Sequence, residues 1–128
     1  MTRTHDTTVA APASTLRPVQ AAAALSVLVL FWQFLSAGRM LVGDDAVGGH
    51  AAGAIALHVT TGLLLVATAL HGRRTRVWWP AALAAAVFVL TFVQAWLGSH
   101  DGIALHVPVA LVPTAGVVWL AAWSSRTR

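Results

Sequence analysis

The chain has 128 residues, 58% of them hydrophobic and only 9% charged, with a formal net charge of +4 and no cysteine. A soluble domain carries about a quarter of its residues as charges, so this chain is too apolar for a globular surface, and it is long enough for one domain at most. Its eight basic residues are all arginines in short loops and tails, which argues for membrane orientation and against nucleic-acid binding, while the lack of cysteine excludes disulfides, thiolate metal sites, iron–sulfur clusters and thioether-linked haem.

Residues 1–17, rich in Thr, Ala and Pro, read as a disordered tail. Residues 18–125 read as one all-α transmembrane domain. With histidine counted as neutral, charge-free stretches predict helical spans at about 18–38, 48–71, 77–98 and 102–124, each near the roughly 20 residues that cross a bilayer. The first run is longer than the apolar core of a signal peptide, about 7–15 residues, and reads as a span. Pro18 and Pro80 stand near helix starts, where a missing amide proton costs little. Pro108 and Pro113 fall inside the fourth span and should bend it.

Arginine placement sets the expected direction. Arg3 and Arg17 precede the first span, Arg73, Arg74 and Arg76 separate the second from the third, and Arg126 and Arg128 follow the fourth. The positive-inside rule makes that side the cytoplasm of a plasma-membrane protein with both termini inside. The outer side holds Arg39 with Asp44, Asp45 and Asp101. Trp78, Trp79, Trp119 and Trp123 suit the inner membrane boundary and Trp96 the outer.

The second and fourth spans share a pentapeptide, Ile55-Ala56-Leu57-His58-Val59 and Ile103-Ala104-Leu105-His106-Val107. In the same register Leu63 matches Leu111 and Ala67 matches Ala115. Phe31-Trp32-Gln33 aligns more loosely with Phe92-Val93-Gln94. The chain thus reads as two tandem helical hairpins related by a pseudo-two-fold axis along the membrane normal. That symmetry predicts His58 facing His106 and Gln33 facing Gln94, all in the outer half of the bilayer.

Ionisable residues inside a membrane are costly and mark function. Two histidines at matched depth suit the axial ligation of a haem iron, one from each side. His50, Ala54, His58, Thr61 and Gly62 share a stripe of the second helix, as do Gly102, His106 and Ala110 on the fourth. Their small residues leave room for a flat macrocycle. Arg39 is the expected propionate partner, with His50 and His100 as further candidates, and Gln33 and Gln94 would orient the histidines. The competing readings are a structural cluster in which His58 and His106 bond Gln33 and Gln94, another metal, or a proton path. Zinc or copper would want three or four ligands. His50, His71 and His100, each taken alone, read as loop or interface histidines.

The segment Phe92-Val93-Gln94-Ala95-Trp96-Leu97-Gly98, followed by a histidine early in the next span, resembles the haem A synthase family. That family is built of two four-helix halves, each with a haem-ligating histidine on its second and fourth helices. The resemblance covers one half, from about Gln20 to Trp123, and its histidines match His58 and His106. The family's substrate-haem half has a glutamate shortly before its first histidine. Here Gly53, Ala54 and Ile55 precede His58 and no acid lies within the spans. The resemblance therefore implies a haem b half that carries electrons. A two-haem oxygenation would need a homodimer or another partner.

The expected function is thus a bis-histidine, haem b membrane cytochrome that transfers electrons at the outer leaflet, with quinol or a membrane oxidoreductase as its partner. The alternatives are a non-haem accessory protein and a haem-handling or haem-modifying enzyme.

Overall fold

The computed structural model describes residues 15–100 and 102–126. They form four α-helices: α1 (Leu16–Leu41), α2 (Val47–Thr75), α3 (Trp79–Ser99) and α4 (Ile103–Arg126). All four are long and apolar enough to cross a membrane. In lipid every backbone amide must be bonded within its own segment, which a helix achieves and an irregular apolar chain does not. Each helix overlaps a stretch read from the sequence. α1 begins at Leu16, so the last residues assigned to the tail are helical, and residues 1–14 lie outside the described region. Pro80 sits in the first turn of α3. Pro108 and Pro113 are both carried within α4.

Short turns join the helices, as antiparallel neighbours require. After α1 the amides of Val42 and Asp44 bond Arg39 O, and Gly43 takes a φ of 86°, a left-handed value that glycine adopts without strain. α2 ends where Arg76, at φ 64°, donates its amide to Gly72 O. α1 packs on α2, α2 on α3, α3 on α4, and α4 back on α1. No Cα atoms of α1 and α3, or of α2 and α4, come within 8 Å. The bundle is therefore square in section, with α2 and α4 on one diagonal and α1 and α3 on the other.

Each helix turns one stripe inward at spacings of three and four residues. The buried stripes are Val19, Ala23, Ser26 and Leu30 on α1, Gly53, Leu57, Thr61, Leu64 and Thr68 on α2, Ala84, Val87, Thr91 and Gln94 on α3, and Pro113, Val117, Leu120 and Ser124 on α4. Most are small, which lets backbones approach closely where no hydrophobic force separates helix from lipid. The buried hydroxyls serve their own helices: Ser26 donates to Ala22 O, Thr61 to Leu57 O and Thr68 to Leu64 O, at 2.9, 2.7 and 2.8 Å.

The apolar core is uneven along the axis. One cluster joins Val19, Ala22, Ala23, Leu64, Ala67, Ala84 and Leu120. A second, nearer the middle, joins Leu30, Leu57, Val87 and Val117. α4 buries nothing before Pro113. The end formed by the chain termini is therefore tightly packed, and the end formed by the first turns of α2 and α4 is open on the α4 side. At the tight end His71 is buried, contrary to the solvated or interfacial position expected for it. Its Nδ1 lies 2.9 Å from Thr15 Oγ1 and its ring meets Trp123 edge-on at 5.5 Å. A fixed helix start at Thr15 and the ring of Trp123 close over this histidine, a tertiary effect that its flanking sequence does not signal.

Truncating this core should be costly. Leu64→Ala and Leu120→Ala, both at fully buried side chains, should each lose about 2–4 kcal/mol of stability. Leu111→Ala, at a lipid-facing side chain, should change it by less than about 0.5 kcal/mol. Thermal or SDS-induced unfolding in detergent micelles measures both.

Candidate functional site

At the open end the inward stripes continue as polar residues. Three and six residues beyond Leu30 on α1 stand Gln33 and Ser36, and α3 ends its stripe with Gln94. On α2 the stripe runs back from Leu57 through Gly53 to His50, and on α4 it runs back from Pro113 to His106. His50 is the fourth residue of α2 and His106 the fourth residue of α4. The two histidines therefore sit at corresponding points of diagonal helices, and their rings meet across the bundle with centroids 6.3 Å apart and planes at 64°.

The hydrogen bonds tie this layer together in two pairs of helices. The amide of Gln33, in the orientation that satisfies both ends, donates from Nε2 to His50 O at 2.9 Å and accepts at Oε1 from the Ala54 N–H at 3.2 Å. Ser36 Oγ donates to Gln33 O and lies 3.0 Å from His50 Nδ1. With the single hydroxyl proton used on Gln33 O, Ser36 accepts from the Nδ1–H of His50. Trp32 Nε1 donates to Gly49 O at 2.9 Å. Across the bundle His106 Nδ1 donates to Gln94 O at 2.9 Å. The ring of His106 rests over Gly98, where a Cβ would stand 3.1 Å from its Cε1.

His58 lies two turns deeper. It is one residue off the buried stripe, beside Leu57, and so leans toward α3 instead of the bundle axis. Its ring meets Phe92 edge-on at 4.2 Å, and Nδ1 donates to Ala54 O at 2.6 Å. The ring that faces His106 is thus that of His50, which the sequence placed only among the candidate propionate partners.

All three histidines share one chemical feature. A carbonyl or a committed hydroxyl takes the Nδ1–H, which leaves Nε2 as the ring nitrogen without a partner. Metal-binding histidines are held in this way, with the second ring nitrogen donating to a backbone carbonyl or similar acceptor. Among the described residues no group of three or more His, Cys, Asp or Glu side chains converges as a metal cage. The donor set at this level is two imidazoles and two amides, a poor match to the three or four ligands of a zinc or copper site.

The remaining polar residues are less central. Arg39 is exposed and pairs with Asp44, Nη2 to Oδ2 at 2.7 Å, a surface contact worth about 0–1 kcal/mol. His100 is exposed and stacks on Trp96 at 5.0 Å. A cavity of about 480 Å³ lined by Gln20, Ala24, Ala121, Ser124 and Ser125 opens between α1 and α4 at the opposite end of the bundle. Gln94 stands apart from its counterpart: it is buried, and neither Nε2 nor Oε1 has a hydrogen-bond partner. An unmet buried polar group costs about 1–3 kcal/mol, so Gln94 is held in place against a local penalty.

No protein-family model, curated protein or solved structure matches this chain.

The close packing of α1 on α2 at this layer depends on Gly53. A Cβ there would stand 2.7 Å from Trp32 Cδ1 and would also collide with the Gln33 amide, whereas one at Gly48 would touch nothing within 4 Å. Gly53→Ala should cost about 1–3 kcal/mol by overpacking, and Gly48→Ala should stay within about 1 kcal/mol of the parent. Unfolding of both variants in the same detergent checks the difference.

Proposed function

We propose that the chain is a haem b-binding membrane protein that carries electrons near the outer face of the plasma membrane, with His106 and His50 as its axial ligands. The observation that carries this reading is the His50–His106 pair. An imidazole nitrogen stands about 2 Å from a first-row metal it ligates, so the centres of two rings on opposite sides of one ion are roughly 6 Å apart. The observed 6.3 Å agrees. With Nδ1 engaged on each ring both Nε2 atoms are left without a partner, the stripe of α4 above Pro113 is unfilled by core residues, and Gly98 leaves room for the His106 ring. The resemblance of the Phe92–Gly98 segment to one haem A synthase half also points to haem, although it matches His58 and not His50 as the partner of His106. Its depth on α2 favours His50 over His58 as the second ligand.

A haem held there by His50 and His106 would supply one-electron chemistry. The protein's part is to hold the imidazoles and exclude water. Ser36 and Gln94 O hold the rings, and the apolar layer of Leu30, Leu57, Val87 and Val117 seals the site from the other side. With two imidazoles to hold the group and no acid among Gln33, Ser36, His50, Gln94 and His106, electron transfer is favoured over a haem-modifying reaction. A quinol or a membrane oxidoreductase is the fitting donor class.

The full chain purified in detergent from haem-replete cells should show a low-spin haem b spectrum, oxidised and reduced. His106→Ala and His50→Ala should abolish it or turn it high-spin, and His58→Ala should leave it low-spin. Loss in His58→Ala with retention in His50→Ala would move the second ligand to His58. A folded protein that takes up no haem under supplementation would leave the layer as a structural polar cluster and overturn the reading.

The orientation has its own test, made simple by a chain without cysteine. With both termini cytoplasmic, Ser99→Cys should react with a membrane-impermeant maleimide in intact cells. Ser125→Cys should react only after the membrane is opened.

A further inference from the structure

Among the described residues, the buried side-chain nitrogen and oxygen atoms that lack any partner are the two of Gln94. The side chain is nine-tenths buried on the inward stripe of α3. Its own backbone carbonyl holds His106, so Gln94 is the α3 residue tied directly to the His50–His106 pair. Gln33, on the opposite corner of the square, is satisfied at both ends by the α2 backbone. Arg39 is exposed and committed to Asp44. An unpaired primary amide offers a donor and an acceptor side by side. The group that meets both at once is a neutral carboxyl, whose carbonyl accepts from Nε2–H and whose hydroxyl donates to Oε1.

Resting on the haem reading, we infer that Gln94 is the recognition group for a haem propionate, held in its protonated form by a two-bond amide–carboxyl pair. α2 and α4 stand on one diagonal and carry His50 and His106, so a flat group held between those rings would have its rim toward α1 and α3. On α3 the buried amide without a partner is that of Gln94. The Gln33, Ser36, His50, Gln94 and His106 layer contains no cation to stabilise an ionised carboxylate, and a carboxyl moved out of water into such surroundings takes up a proton. Gln94 is in this account a binding residue for the cofactor's acid edge, the part first assigned to Arg39.

Haemin and haemin dimethyl ester separate this from the haem reading itself. The full apo chain in detergent is titrated with each porphyrin and followed by absorbance. The parent should bind the free acid at least about tenfold more tightly than the diester, which cannot donate to Oε1. Gln94→Leu and Gln94→Met should bind the two within about threefold of each other, while both keep a low-spin spectrum. Without porphyrin the two variants should unfold no earlier than the parent, since each removes unmet polar atoms from the interior. An equal preference in parent and variants, or none in the parent, overturns the assignment and leaves the haem reading standing. A parent that binds neither porphyrin overturns both. Earlier unfolding of both apo variants would make Gln94 a packing residue and overturn the assignment as well.

Discussion

The packing of α1 against α4 closes the bundle, and the interior depends on it. Sequential hairpins bring α1 to α2 and α3 to α4 by short turns, and the middle turn brings α2 to α3. An open row of four helices would satisfy all of those contacts and place nothing face to face. The return contact turns the row into a square and makes α2 and α4 diagonal neighbours. Val19, Ala23, Leu64, Ala84 and Leu120 interlock at its base, and Gln20 Nε2 adds a bond to Ser124 O at 2.7 Å between α1 and α4. Because these residues are small or fully buried, the helices meet closely at that end. The stripes above them are then aimed at a common axis.

That arrangement divides the bundle by depth. The tight end is mostly apolar, with His71 on Thr15, Gln20 on Ser124 O and hydroxyls that bond their own helices as its polar groups, and its stability comes from packing. The open end has traded packing for hydrogen bonds between helices: Gln33 and Ser36 to α2, and His106 to α3. In a membrane such bonds are worth only about 0.6–2 kcal/mol each. The polar layer is therefore poorly suited to holding the bundle together, and the core below it is well suited. A layer relieved of that duty can accept a ligand between its helices without threatening the fold.

The four spans were readable because lipid imposes one rule on every segment, continuous apolar length, and 9% charge leaves few places to interrupt it. The glutamines were also readable, since the alignment of Phe31-Trp32-Gln33 with Phe92-Val93-Gln94 singled out Gln33 and Gln94. The histidine pair was only half readable. The repeated pentapeptide aligns His58 with His106, yet helix depth is counted from the first turn, and α2 runs for 29 residues against 24 in α4. The identical stretch sits about 12 Å deeper in α2 than in α4. His50 takes the matching level. Had depth been counted from each helix start, and the stripe run through Leu57 instead of His58, the sequence would have paired His50 with His106. The burial of His71 had no such signal, because it comes from α1 and α4 closing over a residue next to a charged turn.

The two glutamines show how near-equivalent positions come to differ. Gln33 reaches α2 because Gly53 lets its amide lie against the backbone at His50 and Ala54, and once there both ends of the amide are engaged. Gln94 faces α4, whose stripe above Pro113 is not drawn in to meet it. Its amide stays empty-handed while its carbonyl is used. One glutamine fastens a helix pair and the other remains chemically available.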